Sequence, residues 1–108
     1  MIPQLGPADL RSWQNDATRT PPALIDVREP WEFDYCRIAG SVLIPLGQLA
    51  ARLPEIPGDK PLVIVCHHGN RSNLAAAMLM QRGFPEVHNL RGGVELWANE
   101  VDPGMKRY

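Results

Sequence analysis

A cysteine, two histidines, an arginine and a serine fall within seven consecutive residues, Cys66-His67-His68-Gly69-Asn70-Arg71-Ser72. A cysteine sharing a tight loop with a cation suits nucleophilic chemistry, because the thiolate is the reactive form and nearby positive charge favours it. Gly69 permits positive φ, so successive backbone N–H groups can turn inward onto an anion. Arg71 offers a planar, permanently charged fork that holds oxyanions through paired hydrogen bonds. These residue types describe a thiolate at the base of an anion cradle, with Cys66 as the candidate nucleophile.

The flanking residues supply the frame. Pro61-Leu62-Val63-Ile64-Val65 is an apolar, β-branched run with the signature of a strand buried on both faces. Asn73 to Arg82, rich in Ala, Leu and Met, reads as a helix, with Gly83 as its left-handed cap and Pro85 preventing continuation. The seven residues therefore join the C-terminal end of a strand to a helix N-terminus, the place where open α/β sheets bind ligands. The helix dipole adds positive potential there.

The remaining chain alternates short strands with helices. Helices are expected over Ala8–Asp16, Trp31–Tyr35, Gly47–Leu53 and Val94–Asn99, and strands over Ala23–Arg28, Val42–Ile44 and Val87–Leu90. Gly92-Gly93 opens the last helix, Trp97 belongs to the core, and Val101 to Tyr108 reads as a tail. This alternation implies parallel pairing through right-handed crossovers in a single domain, residues 1–108, with a central, mostly parallel sheet flanked by helices on both faces. Leu74 to Met80 is apolar all round and is expected to be a buried helix.

Several polar residues compete for roles. Adjacent His67 and His68 suggest a general base or, with Cys66, zinc ligands. Neighbouring loop side chains usually point apart and no second ligand pair at zinc spacing exists, so no metal site is expected. One imidazole is expected at the pocket mouth and the other in solvent, and His88 is expected to be structural. Asp26 and Arg28 share a strand face, and Glu32 stands four residues beyond Arg28, where the two can pair. Trp31, Phe33 and Tyr35 can edge a pocket or a docking surface, and Cys36 is a candidate resolving thiol for Cys66.

Composition excludes other classes. At 108 residues with 44% hydrophobic content the chain suits one globular core. A net charge of -1 offers no electrostatic case for nucleic acid or an anionic membrane. No apolar run approaches the roughly 20 residues of a membrane helix. The first residues lack the basic and apolar regions of a signal peptide. Two cysteines make no disulfide framework, so a cytoplasmic, reducing compartment is the expectation. No long exposed apolar patch can be identified from the sequence, so a monomer is the default expectation.

Four short motifs, in order, resemble the single-domain rhodaneses (thiosulfate sulfurtransferases). They are Leu24-Ile25-Asp26-Val27-Arg28-Glu29-Pro30 with Glu32-Phe33, Arg37-Ile38-Ala39-Gly40-Ser41 running into Ile44-Pro45, the Cys66–Ser72 loop, and Leu90-Arg91-Gly92-Gly93 with Trp97. Cys36-Arg37 stands where Gly-His is common in that family, and His67-His68 leads the loop. The resemblance implies a small three-layer rhodanese-like α/β domain without a cofactor. It implies that Cys66 takes sulfane sulfur from thiosulfate as a persulfide and passes it to a nucleophile: cyanide in vitro, a protein or small thiol in the cell. It implies further that Arg71 binds the sulfonate and that the backbone from His67 through Gly69 and Asn70 to Ser72 holds the persulfide anion. Asp26, Arg28 and Glu32 would then support the active-site end of the sheet. Cys-dependent phosphatases use Cys-x5-Arg, whereas this loop is Cys-x4-Arg, so phosphatase or arsenate-reductase chemistry is the weaker enzymatic reading. From a different class, a non-catalytic rhodanese-like module would only bind a partner or a small anion, but such modules typically lose the cysteine. A persulfide carrier serving a partner protein would have the same loop.

Overall fold

The computed structural model describes residues 1–108. Five strands are formed by Gln4–Leu5 (β1), Ala23–Asp26 (β2), Val42–Leu43 (β3), Leu62–Val65 (β4) and Val87–Leu90 (β5). Four α-helices span Pro7–Gln14 (α1), Pro30–Tyr35 (α2), Asn70–Gln81 (α3) and Gly93–Glu100 (α4). The sheet is wholly parallel in the order β1-β5-β4-β2-β3. All four residues of β4 are buried, as expected of a central parallel strand covered on both faces.

Strand alternation builds two cores. Ile25, Leu62, Ile64 and Val87 face α3, where they pack with Ala75, Ala76 and Leu79. Leu24, Val63, Val65 and Leu90 point the other way, onto Leu10 and Trp13 of α1 and Val94 and Trp97 of α4. Burying each of these large apolar side chains contributes about 1.5–3 kcal/mol, which fixes the strand register against a one-residue slip. The architecture is a three-layer α/β sandwich.

The structure corrects several expectations. β1 has no counterpart in the sequence reading; it joins the edge through Asn89 N–H to the Pro3 carbonyl (2.9 Å) and Arg91 N–H to the Leu5 carbonyl (2.9 Å). The expected helix at Gly47–Leu53 is instead a pair of 3-10 segments, Leu46–Gln48 and Ala50–Glu55, kinked at Arg52. Helix α3 starts at Asn70, three residues earlier than its Ala/Leu/Met pattern suggests, so Arg71 and Ser72 lie in its first turn. Nor is α3 buried all round: Leu74 is 66% exposed and Met80 40%, and small residues make its inner face. No helix is long and apolar enough to cross a membrane.

Candidate active site

The parity that sends Leu62 and Ile64 toward α3 sends Cys66 there too, just past the end of β4. Its side chain ends beneath the first turn of α3 and is 1% exposed. The Gly69 N–H donates to Sγ at 3.1 Å, and the Ser72 hydroxyl lies 3.2 Å from Sγ. Gly69 adopts φ +103° as the residue preceding α3, a conformation that L side chains rarely adopt. The N–H groups of Asn70, Arg71 and Ser72 have no backbone acceptor, as the first turn of a helix requires, and they present partial positive charge at this end.

The other side of the loop is held by amide side chains. Ser72 Oγ donates to Asn89 Oδ1 at 2.5 Å. Asn89 Nδ2 donates to the Gly69 carbonyl (3.1 Å) and to Gln4 Oε1 (2.8 Å), and Gln4 Nε2 reaches Asn73 Oδ1 (2.9 Å). From the next element, Val94 N–H donates to the Cys66 carbonyl (2.9 Å) and Glu95 N–H to the His67 carbonyl (3.1 Å). Gly93 makes this approach possible: at φ +59°, a Cβ there would overlap both of those carbonyl oxygens. The Gly-Gly pair therefore clamps the loop as well as starting the helix.

Arg71 does not stand open over the loop. Its two Nη atoms bind Glu32 Oε1 and Oε2 at 2.6 and 2.9 Å. The expected Glu32–Arg28 side-chain pair is absent, because Arg28 is 0% exposed and directs its guanidinium at Asp26 (2.8 Å), the Glu32 and Cys36 carbonyls, and Tyr108 Oη (3.0 Å). Arg28 thus has no donor left for a substrate. Tyr108 completes the cluster by donating to Glu32 Oε2 at 2.7 Å. The Arg71 hydrogen bonds hold the Glu32 carboxyl down to about 2, and they raise Arg71 in turn. A cation in the first turn of a helix opposes the dipole unless an anion offsets it, and here the offsetting anion is Glu32. Burial, offset in part by Arg28, pushes the Tyr108 hydroxyl up to about 12, so it remains a donor.

His67 and His68 do not point apart. Their rings stack at 3.9 Å, and His67 stacks in turn on Tyr108, also at 3.9 Å. His68 is exposed, whereas His67 is wedged in the stack with Nε2 lacking a hydrogen-bond partner, 3.8 Å from Glu95 Oε1. Burial, followed by the neighbouring His68, lowers the His67 pKa and keeps the imidazole neutral. His88 is satisfied by Glu86 (2.9 Å) and packs edge-on to Trp13. Cys36 is buried, unbridged, and 3.7 Å from Arg28 Nη1. No three His, Cys, Asp or Glu side chains converge closely enough to hold a metal ion.

The largest cleft, about 580 Å³, runs beside the loop and is lined by Gln4, His68, Gly69, Asn70, Asn73, Leu74 and Asn89, without Cys66 or Arg71. Sequence reasoning passed over Gln4, Asn89 and Tyr108. Asn89 carried a signal, a polar residue on the same strand face as the buried Val87; Tyr108 carried none, lying beyond the last regular element.

The profile of the Rhodanese-like domain matches residues 7–100. The chain is 46% identical over 74 residues to thiosulfate sulfurtransferase GlpE of Pseudomonas syringae, covering 68% of this chain and 70% of that one. It is 45% identical over 78 residues to the uncharacterized protein YqhL of Bacillus subtilis, covering 72% of this chain, and it spans about three fifths of that relative's length (62%). A rhodanese-related protein from Thermoplasma volcanium superposes with a TM-score of 0.82 at 31% identity, covering 93% of this chain and 94% of that one. With the cysteine loop at the strand–helix junction and the parallel sheet that carries it, these matches identify the chain as a member of the rhodanese-like domain family.

Proposed function

We propose that the chain is a sulfurtransferase that carries sulfane sulfur as a persulfide on Cys66, with thiosulfate as donor. The observation that carries this reading is the seat of Cys66 Sγ, 3.1 Å from the Gly69 N–H beneath the unpaired amides of α3. The thiolate attacks the outer sulfur of thiosulfate, the S–S bond breaks, and sulfite leaves with the bonding pair. A nucleophile such as cyanide then attacks the outer persulfide sulfur, giving thiocyanate and the free thiolate. Two half-reactions on one nucleophile give ping-pong kinetics. The amide of Gly69 and the N-terminal turn of α3 stabilise the persulfide charge, as an oxyanion hole does an alkoxide.

Arg71 uses its two Nη groups on Glu32, which leaves its Nε edge for the sulfonate. Asp26, Arg28 and Glu32 act as the scaffold that holds this arginine in place. The GlpE relatives and the four-residue spacing between Cys66 and Arg71 favour thiosulfate over a tetrahedral phosphate or arsenate substrate. In the cell the acceptor is a protein or a small thiol, and the chain works as a cytoplasmic monomer.

The test is an intact mass of the reduced protein before and after thiosulfate, with Cys66→Ser in parallel. One sulfur atom gained by the wild type alone, and removed by cyanide, is the expected result. No gain, with Cys66 still open to alkylation, would overturn the reading in favour of a binding module.

A further inference from the structure

We infer that Asn89 is a positioning residue that fixes the direction of the Ser72 hydroxyl and thereby withholds its hydrogen from the Cys66 thiolate. This deepens the proposed function and rests on Cys66 being the reactive sulfur. The Asn89 amide has one possible orientation. Its Nδ2 faces the Gly69 carbonyl at 3.1 Å, a group that can only accept, so the other end, facing Ser72, must be Oδ1. Gln4 Oε1, 2.8 Å from Nδ2, takes the second amide hydrogen.

A serine has one hydrogen to give. With Asn89 Oδ1 at 2.5 Å, Ser72 gives it there, and toward Sγ at 3.2 Å it can only accept. The arrangement that satisfies every group is a directed chain: Cys66 S–H to Ser72 Oγ, Ser72 O–H to Asn89 Oδ1, with the Gly69 N–H donating to Sγ. With Cys66 as the thiolate, the sulfur has no hydrogen to give and Ser72 is the side-chain donor within reach of it. The hydroxyl can turn to Sγ only by leaving Asn89 Oδ1 unpaired, and Asn89 is 3% exposed, where an unpaired acceptor is unfavourable. Flipping the amide does not help, because Oδ1 would then confront the Gly69 carbonyl. Asn89 therefore competes with the Cys66 thiolate for one hydrogen.

Charged and titratable groups at this end of the sheet are Arg71 on α3, Asp26 ending β2, Arg28 just after it, Glu32 on α2, Cys36 following α2, His67 and His68 in the loop, Glu95 on α4, and Tyr108. Strand β5 contributes the uncharged Asn89 here, so substituting it by an apolar residue leaves every one of these charges in place. The Gly69 carbonyl also keeps a second donor, the Asn73 N–H at 3.2 Å.

The experiment is the rate of iodoacetamide alkylation at Cys66 against pH, read by peptide mass, for wild type, Asn89→Leu, Ser72→Ala and the double variant. Asn89→Leu is expected to move the midpoint about one pH unit lower, raising the reactive fraction below the midpoint about tenfold. In the Ser72→Ala background the same substitution is expected to move it by far less, because no hydroxyl remains to redirect. Asn89→Val, a β-branched alternative suited to a strand, carries the same expectation if the leucine variant does not fold. An unmoved midpoint in the Asn89 variants, or an equal drop with and without the Ser72 hydroxyl, would overturn the inference. Alkylation requires no sulfur transfer, so this result stands apart from the thiosulfate mass test.

Discussion

Glu32→Gln isolates the ion pair that holds Arg71. The carboxylate is 5% exposed in its side chain and accepts from both Arg71 Nη atoms, from Tyr108 and from the Glu29 N–H. Glutamine keeps an oxygen for Tyr108 or for the Glu29 N–H but loses the charge. Arg71 bonding first, then the Glu29 and Tyr108 hydrogen bonds, lower the Glu32 pKa from 4.5 to about 2, against the opposing effect of burial. The full linkage for a shift of that size is about 3.4 kcal/mol. Because the Arg71 side chain is 36% exposed, solvent screening reduces the expected contribution to about 1–2 kcal/mol. Folding depresses this carboxyl, so its stabilisation is fully present above pH 4.5 and fades as the pH falls toward about 2. Urea unfolding at pH 7 should therefore place the variant midpoint roughly 1 M below wild type. The gap should narrow steadily in titrations below pH 4.5. A gap that is the same at pH 7 and pH 3, or none at pH 7, would refute the assignment of Glu32 as the anion that balances Arg71.

The parts of this structure that were legible in the sequence are those governed by local pattern. The β-branched run before Cys66, the Ala/Leu/Met run after Ser72 and the punctuation by Gly83 and Pro85 are short-range signals, and they located the loop and its helix. Helix α3 was misjudged as buried all round because hydropathy cannot show which face meets a sheet; the inner face uses Ala75 and Ala76, and Leu74 is left outside. Strand β1, only two residues long, is defined by its partner β5 across the chain, and no local propensity encodes that pairing. The same reason hid the site's connectivity. Glu32 and Arg71 are 39 residues apart and Tyr108 and Glu32 76 apart, so sequence proximity suggested Arg28 as the partner of Glu32. Charge pairing inside a fold is decided by which side chains reach a shared volume, and Arg28 had already been claimed by Asp26 and by the carbonyls at the end of α2.

Two further substitutions probe the two sides of the loop. Gly93→Ala should destabilise the protein by about 2–3 kcal/mol and lower Tm by about 10–20 °C in calorimetry, because its Cβ meets the Cys66 and His67 carbonyls at positive φ; a shift under a few degrees would show that α4 does not clamp the loop. Arg71→Ala tests the proposed division between binding and transfer: on that mechanism, loss of a charge-assisted contact to the sulfonate should raise the KM for thiosulfate about 10- to 150-fold, while discharge of a preformed Cys66 persulfide by cyanide should change less than about twofold, since the amides of Gly69 and α3 remain. If both half-reactions fall together in stopped-flow assays, Arg71 and its Glu32 tether act on the sulfur itself, and the role of Arg71 in binding the sulfonate is refuted.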